Sequence, residues 1–359
     1  MAKKIKILAA FAALVVVTGL AFGQKSQSNN DNETLRQYAD KMGFGIGTLI
    51  QPRYWKQDPE HQVIMAREFN HAAVMAMKIQ DQRGHYDFDL MDKEMKFAKE
   101  HNMKLFGAGL IYRNNSSPEW LHFEGRGRCG GWSAKELDEI IKDDVQTIVR
   151  HGGDTFYTWE VVNEPVTAPQ HNGCWGSILG QDQMIASASR YVYEANPNVP
   201  IMVNEQFGQA GVDRAKADEF FDLIRRVKAL GGHIDVVGCE MHLEAQQLHP
   251  NYVDEFKYYL DQARKLGVQV QVTEMDVYQG PAGAIADSYE NQKQIFYNIA
   301  HICLKDSNCT SFAVWGLADQ YSWLRTAKDL TDANPVLFDE HYQKKPAYYG
   351  VLQALKEGR

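Results

Sequence analysis

Hydrophobic and polar positions follow two rhythms along this chain. Short apolar runs stand at 44–50 (FGIGTLI), 71–78 (HAAVMAMK), 104–112 (KLFGAGLIY) and 155–164 (TFYTWEVVNE). Four more follow at 199–207 (VPIMVNEQF), 233–243 (HIDVVGCEMHL), 268–277 (VQVQVTEMDV) and 311–317 (SFAVWGL). Their length and β-branched content predict buried strands. Between them apolar residues recur every three or four positions. The third such stretch is the clearest: Ser133 and Glu136 form a capping box ahead of Leu137, Ile140, Ile141, Val145 and Ile148. Tyr252 to Leu266 repeats the helical spacing until Gly267 ends it, and Val351 with Leu355 marks a last helix. Eight strands alternating with eight helices over about 320 residues predict a single (β/α)8 barrel, here bounded at 36–359, with no Pro/Ser-rich linker dividing it.

On strand seven, Val270, Val272 and Glu274 share one face at period two. This register predicts valines filling the barrel and turns Gln269 and Gln271 toward the helices.

The start of the chain obeys a different pattern. Lys3, Lys4 and Lys6 precede an apolar stretch, Ile7 to Phe22, that ends in small residues before Gln24. A basic head, an apolar middle and a small-residue exit predict a cleaved secretory signal at 1–23, followed by a polar leader at 24–35. The run is short for a membrane span. The expectation is a secreted or periplasmic monomer, with no membrane association after cleavage.

Composition narrows the class. At 44% hydrophobic and 23% charged the chain is an ordinary globular sequence, and a formal charge of −8 with no Lys/Arg face excludes nucleic acid as a partner. Export permits disulfides, and five cysteines leave one over. Cys303 and Cys309 fall at a helix end and the next strand's start, where they can staple the turn; Cys129 and Cys174 lie in Gly-rich loops that a bond between them could join; Cys239 sits in an apolar strand as a buried thiol.

Candidate chemistry gathers at the strand exits, where barrels carry their ligand sites. Glu164 ends strand four, Asn204 and Glu205 strand five, Glu240 and His242 strand six, Glu274 and Asp276 strand seven, and Trp315 strand eight. Two carboxylates across an aromatic-rimmed mouth suit glycosidic hydrolysis, one protonated to release the leaving oxygen and one charged to meet the oxocarbenium-like carbon. His242 either holds Glu274 ionised or is a satisfied strand-end histidine; Tyr321, Trp315 and Trp323 either stack on sugars or pack the rim. Glu240-x-His242 and Glu274-x-Asp276 also suggest a metal, but they offer a single imidazole, so no metal and no cofactor is expected. The chain has no G-x-S-x-G, G-x-G-x-x-G or Walker sequence.

TWEVVNEP and VTEMDV resemble the W-D-V-V-N-E and T-E-L-D segments of glycoside hydrolase family ten, the retaining endo-β-1,4-xylanases. Segments 97–112, 237–243, 315–324 and 337–352 are similar too, so the resemblance runs from about Gly43 to Leu355. It implies Glu164 as general acid/base and Glu274 as nucleophile, with carboxyl groups ~5–5.5 Å apart. It further implies that Asn163 bonds the sugar 2-hydroxyl, His242 orients Glu274, Asn204 supports the acid/base, Trp315 and Trp323 wall the site, and Lys78 reaches the neighbouring sugar. Cys303–Cys309 matches a disulfide common in that family. The departures lie on the non-reducing side of the cut. The family's Glu-Asn is Val74-Met75, its Arg-Gly-His is Phe106-Gly107-Ala108, its Trp-His is Tyr112-Arg113, and the Gln of Gln-x-His is Glu240. The expectation is a secreted retaining β-glycoside hydrolase, xylanase-like, acting on a β-linked polysaccharide or oligosaccharide. Its recognition surface is rebuilt for a decorated or different sugar. The rivals are a glycan-binding barrel with little turnover and a metal-dependent hydrolase.

Overall fold

A computed structural model describes residues 33–75, 79–111, 120–121, 131–167, 173–280 and 288–359. The expected signal segment, Lys78, Tyr112, Arg113 and Cys129 lie outside them, and with Cys129 its pairing to Cys174.

Eight parallel strands form a closed ring: β1 (Gly45–Leu49), β2 (His71–Met75), β3 (Lys104–Ala108), β4 (Phe156–Asn163), β5 (Ile201–Glu205), β6 (Val236–Cys239), β7 (Gln269–Tyr278) and β8 (Cys309–Val314). Closure comes from β8 pairing with both β7 and β1, Gly45 standing opposite Ser311. The surrounding helices are α1 (Pro59–Glu68), α2 (Asp89–Glu100), α3 (Ala134–Gly152), α4 (Gln181–Ala195), α5 (Arg214–Ala229), α6 (Tyr252–Lys265), α7 (Ser288–Lys305) and α8 (Pro346–Glu357). α3 starts at the expected capping box, with both reciprocal bonds between Ser133 and Glu136 present. A hairpin of Gln80–Gln82 and His85–Tyr86 was not foreseen; its strands are too short to carry a period. Among the described residues no helix is long and apolar enough to cross a membrane.

The folded body begins earlier than the predicted leader allowed. Thr34 accepts from the Gln37 N–H and caps a helix, Leu35–Met42, whose first residue is fully buried. Leu35 and Ala39 dock this helix on the core, and Arg36 donates to the carbonyls of Ala66, Phe69, His101 and Asn102.

Strand seven turns the other way from the expected register. Tyr157 donates to Gln271 from across the barrel, so Gln271 faces the interior, while Val270 and Val272 join the core under the helices. The inner cluster is instead Ala73, Phe106, Ala108, Met202 and Val236. A register shift against β8 between Val272 and Met275 still delivers Glu274 to the mouth. At β3, Gly107 makes room for a neighbour: an added Cβ would lie 2.1 Å from the Trp159 ring, which is wholly buried.

Cys303 and Cys309 are bonded, their Cα atoms 5.1 Å apart, and tie α7 to β8; Cys239 is a buried free thiol. After β8 the chain is fastened by one buried cation. Lys345 Nζ lies 2.9 Å from Asp319 Oδ2 and donates to the carbonyls of Asn334 and Val336, each at 2.7 Å. Burial raises Asp319 to about 6 against the pull of Lys345, and lowers Lys345. Removing one member strands the other in a dry setting. Lys345→Met is expected to cost about 3–5 kcal/mol in urea unfolding, with part restored in Asp319→Asn/Lys345→Met; an unchanged midpoint would contradict the structure.

Candidate active site

The strand ends at the C-terminal mouth enclose a cleft of about 550 Å³. Glu164 and Glu274 both line it, with Asn163, Glu160, Glu240, His242, Trp315 and Trp323. The pair expected from sequence thus shares one cavity.

Local backbone geometry sets the aim of these side chains. Glu164 follows β4 in the left-handed region at φ 48°, and its N–H donates to the Asn204 carbonyl at 2.9 Å. Met241 takes φ 60° between β6 and a three-residue continuation, His242–Glu244, paired to the end of β7. Non-glycine residues in this region are uncommon and concentrate where a site over-determines the backbone. Here the bend sets Glu240 and His242 side by side at the cleft.

Asn204, fully buried on β5, is the hub. Its Nδ2 lies 2.9 Å from Glu274 Oε1, 3.0 Å from Asn163 Oδ1 and 3.3 Å from Glu240 Oε1. Its Oδ1 accepts from Thr273 at 2.8 Å. The Asn204 amide thus reaches Glu274, while its main-chain carbonyl is the group that accepts the Glu164 N–H. Gly238 explains the direction, because a Cβ there would sit 2.0 Å from Asn204 Oδ1.

A second line of contacts arrives from the aromatic wall. Trp323 Nε1 donates to Asp276 Oδ2 at 2.7 Å, Asp276 Oδ2 lies 3.0 Å from His242 Nδ1, and His242 Nε2 lies 3.2 Å from Glu274 Oε2. Burial works against a charged imidazole, yet Asp276 and then Glu274 hold its pKa well above the ordinary value. Glu274 therefore faces an amide on one oxygen and an imidazolium on the other.

The profile of glycosyl hydrolase family 10 matches residues 34–354. The chain belongs to this family and is a glycoside hydrolase by membership. It is 29% identical to endo-1,4-beta-xylanase B of Thermotoga neapolitana, over 94% of this chain and 96% of the relative. It is 28% identical to endo-1,4-beta-xylanase A of Thermoanaerobacterium saccharolyticum over 87% of this chain, spanning only 27% of that longer protein. The crystal structure of xylanase 10B from Thermotoga petrophila RKU-1 in complex with xylobiose superposes with a TM-score of 0.81 at 28% identity, covering 91% of this chain and 98% of that one.

Within this family-10 frame, the two tryptophans sit differently. Trp315 lines the cleft over the inner barrel cluster, while Trp323 lies against His242, ring centroids 5.2 Å apart, with Lys328 Nζ 5.7 Å from its ring. Tyr321 is rim packing: it stacks on Tyr54 at 3.9 Å and donates to Asp58. Of the departures on the non-reducing side, Met75 and Ala108 reach the cleft as apolar groups and Glu240 as an acid, while Val74 turns into the core.

Sequence reasoning placed Glu205 at a strand exit without a role and passed over Glu160. Glu205 is fully buried and accepts from the N–H groups of Val166, Thr167 and Gln206 and from Lys216, which clamps the loop behind Glu164. Glu160, where the family motif has Asp, lines the cleft from β4; a glutamate inside an otherwise apolar strand was its signal. The end of the Asn163 amide that faces Asn204 also lies 3.2 Å from Glu160 Oε1 and 3.2 Å from Glu240 Oε1, so it accepts from Asn204 or, turned over, donates to the two carboxyl groups. Burial, then the charge of Glu274, raises both carboxyls well above the usual range.

A carboxyl whose folded pKa exceeds its unfolded value stabilises fully below about pH 4.5, and that contribution is lost as pH rises through the folded pKa. Glu160→Gln and Glu240→Gln are therefore expected to melt higher than the parent at pH 8, with a smaller gain at pH 5. Equal gains at both pH values would contradict neutral carboxyls here.

Proposed function

We propose that this protein cleaves xylan or a closely related β-1,4-glycan by double displacement. The supporting observation is the placement of Glu164 and Glu274 in one cleft, the latter held by Asn204 and His242, in a family-10 chain whose relatives are named xylanases. Glu164 donates its proton to the glycosidic oxygen as Glu274 attacks the anomeric carbon. Water then enters with Glu164 acting as base, and the glycosyl–Glu274 bond breaks. Asn163 faces the sugar from the strand that bears Glu164. The signal pattern at 1–23 and the Cys303–Cys309 bond support export to the periplasm or medium.

Specificity is the second part of the proposal. Met75 and Ala108 cannot supply the hydrogen bonds that the family pattern places there, and each unmade bond forfeits about 1–3 kcal/mol. Affinity for plain xylo-oligosaccharides is accordingly weak, and a decorated or different sugar fits the altered wall better.

Glu274→Ala is expected to abolish turnover of an aryl β-xyloside and Glu164→Ala to lower it about 10²–10⁴-fold. The first product seen by proton NMR should keep the β configuration. Inverted product, or activity surviving Glu274→Ala, would end the mechanism. Binding without product across a polysaccharide panel would favour a glycan-binding role. Mass spectrometry of that panel reads the sugar, and Met75→Asn/Ala108→His is expected to lower KM for plain xylo-oligosaccharides.

A further inference from the structure

The wall at β6 and β7 sets beside Glu274 and His242 a third group, Glu240, to which the hydrolytic reaction gives no role. Glu240, His242 and Glu274 each offer one ligand atom, and the three atoms lie within 4.8 Å of one another. His242 Nε2 is 3.2 Å from Glu274 Oε2 and 3.7 Å from Glu240 Oε2. A tetrahedral zinc with bonds of about 2.0–2.2 Å sets its ligands roughly 3.3–3.6 Å apart. The two contacts of His242, 3.2 and 3.7 Å, lie close to such edges, and all three ligand atoms fall within 4.8 Å of one another.

Three further features fit a cation. The opposite ring nitrogen of His242 faces Asp276 at 3.0 Å, the outer carboxylate contact that orients a ligating imidazole, and the cation displaces the proton from Nε2 as it binds. Asp276 is itself held by the Trp323 indole, so the ring cannot turn away. Glu160, almost fully buried on the same cleft, keeps its Oε2 without a hydrogen-bond partner. The three ligands all line the cleft, which leaves a fourth position open toward water.

We propose that Glu240, His242 and Glu274 form an inhibitory site for a zinc-like divalent cation. It is specific to this chain's Glu240, because a glutamine amide at that position offers no negative ligand. The cation bridges the carboxylate we read as the nucleophile and occupies the place of the sugar, so it competes with substrate and takes no part in the reaction. Binding does not depend on the hydrolase reading; only the competition does.

The test uses the full-length protein, freed of metal with a chelator. Calorimetric titration with zinc chloride, with magnesium chloride as the comparison, should show zinc binding that Glu240→Gln weakens at least tenfold and magnesium does not reproduce. Cobalt(II) should give tetrahedral visible bands that Glu240→Gln removes. Circular dichroism and melting confirm that the variant is folded, and Glu274→Gln provides a second variant should it not be. Zinc should raise KM for an aryl β-xyloside with kcat unchanged. Equal zinc affinity in the parent and both variants, or tetrahedral cobalt bands surviving Glu240→Gln, would overturn the site. A metal-free protein that binds zinc as described yet hydrolyses no β-glycoside would instead overturn the proposed function and leave the site standing.

Discussion

Crowding of carboxyl groups around one amide is the constraint from which the mouth of this barrel follows. Glu160, Glu164, Glu240, Glu274 and Asp276 are all buried within the ends of three strands and their following loops. Charges cannot gather in such a setting without partners or neutralisation. The structure uses both. Asn204 and His242 hold Glu274, His242 and the Trp323 indole hold Asp276, and burial beside Glu274 pushes Glu160 and Glu240 well above the usual carboxyl range. A bare ring of ionised acids would repel itself apart.

The barrel was legible because its signal is repeated eight times: buried apolar strands, amphipathic helices and caps all give the same period. The residues of the mouth were legible for a different reason. Polar groups at strand exits break an apolar pattern, so Glu164, Asn204, His242, Glu274 and Trp315 stand out. Glu160 did not, because it sits one turn of the pleat below that boundary and looks like part of the strand. Direction was harder than location. That Asn204 serves Glu274 depends on the missing side chain at Gly238, a cross-strand fact that no local pattern records.

Strand seven shows where counting by twos fails. Its valines face the helices and Gln271 faces Tyr157 inside the barrel, which gives a polar glutamine a partner that the expected register denied it. The shift between Val272 and Met275 then resets the alternation, so Glu274 reaches the cleft although its strand runs in the opposite phase. A bulge has no hydrophobic signature, and it decides which face a carboxylate shows.

The Lys345 anchor carries a consequence for the order of events in synthesis. Asp319 and the carbonyls of Asn334 and Val336 bracket Trp323 in the chain, and all three converge on Lys345. That lysine is made after every strand of the barrel and every acid of the mouth. A copy cut before it would carry those acids beside an aromatic wall that has lost its anchor.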